Sequence, residues 1–258
     1  MTSRWLHGNA HVERDDAVEC LDRVDAGERF ACVEYSLVLT QALNALAIPA
    51  RRLSLRQANQ HVGAGRGHVV SEAWIDELAR WVVLDGQNGL YWTDAEGTPL
   101  GAVQLQAWLR SGEPRPRAVL TAEARPLSDS DLEAWFSYFA SLSTTGATWS
   151  ADPFVPVFQR SHLIVTDRLE HRPDAVYPDL SEVGMGMTLV DGKPAVRLST
   201  PHPYPRGFVA IEDGLQHELI PHDPVWALRD TPGAHETELS VRTAYGRLPG
   251  RPLRYIVH

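Results

Sequence analysis

Residues 27–51, GERFACVEYSLVLTQALNALAIPAR, constrain the fold more than any other stretch. A short loop delivers Cys32 to the start of a long helix in which Val33, Leu37, Val38, Leu39, Ala42, Leu43, Ala45 and Leu46 leave little room for a polar face. Such a helix is expected to be buried on nearly all sides. Ile48-Pro49 stops it, because proline lacks a donor and restricts the residue before it. A thiol in the first turn sits near the positive end of the helix dipole, which favours thiolate. Cys32 is therefore a candidate nucleophile, weighed against the plainer role of a small core cysteine.

At 258 residues the chain can bury a good core, as one large domain or two modest ones. A formal charge of −9 argues against nucleic acid or an anionic membrane surface as a partner. Two cysteines, Cys20 and Cys32, make no disulfide framework. Cys20 lies in the helix-like run AVECLDRV and is expected in a core. No basic segment followed by an apolar one opens the sequence, and no apolar run approaches the roughly 18 residues of a membrane helix. The expected location is the cytoplasm, with no membrane partner.

Asp15 or Asp16 can cap a first helix through about Val24. After the Cys32 helix comes a strand over 51–56 with Leu53 and Leu55 inward, then a glycine-rich surface loop over 57–67. Runs 68–76 and 80–85 read as a β-hairpin. Residues 86–100 are turn-rich, 101–110 form a short amphipathic helix, and 111–130 are a polar connector. Asp129 or Ser130 caps a helix over 131–142, whose Leu132, Trp135, Phe136 and Phe139 recur at helical spacing and read as core.

From Phe154 onward only short alternating runs appear, punctuated by proline and glycine. Leu239, Val241 and Tyr245 are expected on one face, as are Leu253, Tyr255 and Val257. Strands at this spacing after a helical half indicate an α+β chain: a first domain over 1–145 and a β-sandwich-like domain over 150–258.

A cysteine nucleophile needs a base, and the base needs a group to hold its ring. His68 opens the first hairpin strand and Asp85 closes the second. A four-residue loop over 76–79 would make them diagonal neighbours on one face; an odd-length loop would turn them to opposite faces. His202, His217, His222 and His235 match no familiar ligand spacing, so neither a metal nor a cofactor is expected.

Three segments, FACVEYSLVLTQALNALAIPAR, GHVVSEAWIDELARWVVLDGQ and NGLYWTDAEGTPLGAVQLQAW, resemble the core of transglutaminase-like proteins in order and spacing, over roughly residues 15–110. The resemblance implies a papain-like fold, a buried helix carrying the cysteine packed on an antiparallel sheet. It also implies Cys32 as nucleophile, His68 as general base and then acid, and Asp85 as the group orienting His68. The sequence departs from the family at Gly86, where many relatives have proline, and at Ala31. The implied activity is acyl transfer from a peptide, amide or thioester substrate to water or an amine. The tetrahedral oxyanion would be held by the Cys32 N–H and one further donor, for which Trp5 is the candidate. The alternative is a non-catalytic module that binds a peptide or small ligand.

Overall fold

The computed structural model describes residues 8–56, 67–112, 115–121, 128–138, 141–144, 147–150, 157–159, 162–164, 169–170 and 173–258. Helices α1 (Ala17–Asp25) and α2 (Cys32–Ala45) precede strands β1 (Ala50–Arg56), β2 (Gly67–Ile75) and β3 (Arg80–Asp85). Next come β4 (Leu90–Thr93), α3 (Ala102–Ser111), β5 (Arg117–Leu120), α4 (Asp129–Phe136), β6 (Ser141–Thr144) and β7 (Ala147–Ser150). Short strands β8 (Val157–Gln159), β9 (His162–Ile164) and β10 (Leu169–Glu170) lead to the single turn α5 (Pro173–Val176). The rest is β: β11 (Gly184–Val190), β12 (Lys193–Ser199), β13 (Gly207–Glu212), β14 (Leu215–Leu219), β15 (Val225–Ala227), β16 (Gly233–Arg242) and β17 (Arg251–Val257). The chain is thus mixed α/β with mostly antiparallel pairing, consistent with the α+β class.

Local chemistry sets the helix ends. Asp16 Oδ1 accepts the N–H groups of Val18 and Glu19 at 2.8 and 3.2 Å, capping α1. The α2 helix stops before the proline. Ala47 takes a left-handed φ of 60°, and the Ile48 and Ala47 N–H groups return to Leu43 and Asn44 carbonyls at 3.0 and 2.9 Å. That is the double closure of a Schellman end, with alanine where glycine is usual. The expected burial holds only for the first half of α2: Glu34 to Val38 are buried, while Ala42, Ala45 and Leu46 are exposed as the helix runs out towards this end.

The chain divides into two compact units, Met1–Ala73 with Trp81–Tyr177 and Trp74–Arg80 with Pro178–His258. The first contains a sheet in the order β10-β7-β6-β1-β2-β3-β4-β5. Leu53 and Leu55 on β1 are fully buried as expected, in a core shared with Val70, Val83, Trp92, Leu105, Trp135 and Phe136. Residues beyond 145 belong to this unit because β7 and β10 pair into its sheet. The first unit therefore runs to Tyr177, past the expected boundary at 145–150. Strands β4 and β5 fall in the stretches read as turn-rich and connector. Helix α4 is shorter than expected, ending at Phe136, and is capped by Ser128. Phe139 and residues 57–66 of the expected 57–67 loop lie outside the described residues, and Gly67 opens β2 instead.

In the second unit, sheets β11-β12-β15 and β14-β13-β16-β17 contribute Val196, Leu198, Phe208, Ala210, Leu239 and Val241 to one core. Tyr245 does not join Leu239 and Val241: β16 ends at Arg242, and Tyr245 is exposed in the following turn. Leu253, Tyr255 and Val257 do share the less exposed face of β17. The hairpin tip contributes Asp76, whose Oδ2 accepts the Thr243 hydroxyl at 2.6 Å and whose Oδ1 lies 3.5 Å from His202 Nε2.

Candidate active site

Cys32 is the first residue of α2, and its N-cap Ala31 supplies no side-chain hydrogen bond to the first turn. The helix is docked on β2 through hydroxyls: Ser36 Oγ donates to the Val70 carbonyl at 2.8 Å, and Ser71 Oγ to the Ser36 carbonyl at 3.1 Å. Thr40 and Ser71 hydroxyls also meet at 3.0 Å. On another side, a Cβ added to Gly86 would come 3.2 Å from Leu39 Cδ2 and 3.4 Å from the Tyr35 carbonyl oxygen. The turn after Asp85 therefore lies directly against α2. A small residue there lets helix and hairpin approach.

His68 sits on β2 opposite Leu55, and Asp85 ends β3. The strands are separated by the four residues 76–79, and His68 Nε2 lies 2.8 Å from Asp85 Oδ2. The two side chains therefore face the same side, as an even loop requires. Both are buried. With Nε2 committed to Asp85, Nδ1 is the ring nitrogen left for the thiol.

Asp85 is the most heavily bonded group in the site. Besides His68, its Oδ2 accepts Asn88 Nδ2 at 2.8 Å and the Trp135 indole Nε1 at 2.7 Å. Its Oδ1 accepts the backbone N–H groups of Gln87 and Asn88, each at 3.0 Å. Trp135 was legible only as a core aromatic; it is that, and a donor to Asp85 as well. Asn88 left one usable signal, since an aspartate heading a Gly-Gln-Asn turn is suited to accept from the backbone two and three residues on. The ring of His68 also lies 6.4 Å from that of Trp135 and 5.8 Å from that of Tyr138.

The electrostatics follow from these contacts. Burial alone would raise the Asp85 pKa, but the His68 charge and hydrogen bond, with the Asn88 donors, hold it at about 2. Burial would lower that of His68, yet Asp85 and the Cys32 sulfur raise it to about 10. Burial also opposes a thiolate at Cys32; the His68 side chain and charge and the Val69 N–H outweigh it and bring the pKa below the ordinary thiol value. Near neutrality His68 and Asp85 thus favour imidazolium beside carboxylate, and the shift at Cys32 leans towards thiolate. Cys20 is the opposite case: fully buried, with burial and then Glu34 pushing its thiol to about 11.

Trp5 lies outside the described residues. Among the described residues, no group of three or more His, Cys, Asp or Glu side chains is placed to hold a metal ion. None of the described helices is long and apolar enough to cross a membrane. The chain matches no protein-family model and no curated protein.

Proposed function

We propose that this chain is a cysteine-dependent acyl-transfer enzyme of the transglutaminase-like type, with a papain-like core in its first unit. The observation that carries the reading is the 2.8 Å contact of His68 Nε2 with Asp85, beside a Cys32 thiol whose pKa the His68 side chain lowers. In this reading the Cys32 thiolate attacks the carbonyl carbon of an amide or thioester, forming a C–S bond and an oxyanion. The uncapped N–H groups at the head of α2 are the donors that the oxyanion would meet. As the intermediate collapses, the imidazolium gives its proton to the departing amine or thiol. Neutral His68 then takes a proton from water or an amine as that nucleophile attacks the thioester and frees the sulfur.

A small activated ester tests this without knowledge of the natural substrate. With p-nitrophenyl acetate, a burst of nitrophenolate is expected, together with an acetyl group on the Cys32 peptide by mass spectrometry. Turnover retained in Cys32→Ser overturns the assignment. A protein that binds the ester but never carries the acetyl group is a binding module instead.

A further inference from the structure

Three donors meet at one oxygen of Asp85. Oδ2 accepts from His68 Nε2 at 2.8 Å, Asn88 Nδ2 at 2.8 Å and Trp135 Nε1 at 2.7 Å. A carboxylate oxygen has two lone pairs, so three donors divide what two could hold in full. The backbone donors on Oδ1 keep the carboxylate from turning to relieve the crowding. Nor can the indole step aside: Trp135 is 5% exposed, with Trp92 and Phe136 rings 5.1 and 5.6 Å from its own. Trp135 and His68 therefore draw on the same electron density.

We propose that Trp135 is a positioning residue that sets the acid strength of His68. Its N–H takes part of the negative charge of Asp85 Oδ2, so the imidazolium is held less tightly and releases its proton more readily. An acid that protonates a leaving group must be held strongly enough to be charged and weakly enough to let go. Trp135 moves His68 towards letting go. No bond to substrate is involved, and the indole acts only through the carboxylate.

Among the described residues, the charged and titratable groups that face His68 are Asp85 from β3, Cys32 from α2 and the Tyr138 ring just beyond α4. The inference rests on the reading of His68 as the acid of the site. Its test, however, uses no substrate and can fail independently of that reading. The full chain carrying Cys32→Ser, which removes the thiolate, is titrated by histidine-selective NMR, with the His68 signals assigned by their loss in His68→Ala. Trp135→Phe keeps an aromatic ring and deletes the N–H. The His68 midpoint is expected to rise by about 0.5–1 pH unit, on the scale of one hydrogen bond to a charged group. Tyr138→Phe is expected to leave it in place.

Should Trp135→Phe disturb the fold, 5-fluorotryptophan labelling provides the reverse test. Fluorination makes the indole N–H a stronger donor at nearly constant shape, and the midpoint is expected to fall. A midpoint that stays put, or that falls in Trp135→Phe, overturns the proposal.

Discussion

His68 and Asp85, 17 residues apart, share a 2.8 Å hydrogen bond across the hairpin formed by β2 and β3. The bond ties a ring that reaches the thiol to a carboxylate that stays charged. Asp85→Asn keeps the shape but replaces an oxygen by a donor, which favours the wrong tautomer or a flipped amide. Turnover of p-nitrophenyl acetate is expected to fall on the order of 10³-fold, with a smaller change in KM. Steady-state kinetics of wild type and variant check this.

The same pair imposes a pH window on stability. Asp85 has its pKa depressed from 3.8 to about 2, so its contribution is complete above 3.8 and is lost as the pH falls towards 2. His68 has its pKa raised from 6.5 to about 10, so its contribution is complete below 6.5 and is lost as the pH rises through 10. Urea midpoints of wild type and Asp85→Asn should therefore differ most between pH 3.8 and 6.5, and converge on either side.

Ala47 ends α2 with a φ of 60°. A left-handed conformation costs a residue with a Cβ about 1–2 kcal/mol, and glycine little. Ala47→Gly should stabilise the protein by about 1 kcal/mol, read from urea or thermal unfolding. Iodoacetamide reactivity of Cys32, at the other end of the helix, should be unchanged.

Gly101 precedes α3, with its N–H 3.1 Å from Gln104 Oε1. A Cβ at this position would come 2.5 Å from the Trp81 backbone carbonyl oxygen. Backbone cannot yield as a flexible side chain can, so Gly101→Ala should destabilise by about 1–3 kcal/mol. Gly86→Ala meets the mobile end of Leu39 first and should cost less. Denaturation curves of the two variants separate these outcomes.

What could be read from the sequence was local. The α2 start at Cys32, the inward Leu53 and Leu55, and the hairpin around residues 76–79 each follow from periodicity or turn chemistry within a few residues. Contacts made across long separations left no such trace. Trp135 meets Asp85 from 50 residues away, and its helical spacing with Leu132 and Phe136 spoke only of packing. The first unit extends beyond residue 145 because β6 pairs with β1 and β7 with β6, pairings that residues 141–150 do not announce. Four-residue strands such as β4 and β5 are too short to show alternation, and their flanking glycine, asparagine and proline dominate the reading.

The most direct measurement is the rate at which iodoacetamide alkylates each cysteine, followed peptide by peptide at neutral pH. Cys32 should react at least about 100-fold faster than the walled-off Cys20, and His68→Ala should remove most of that excess. Equal, slow labelling of both thiols, or a Cys32 rate indifferent to His68, would contradict an activated sulfur at the head of α2.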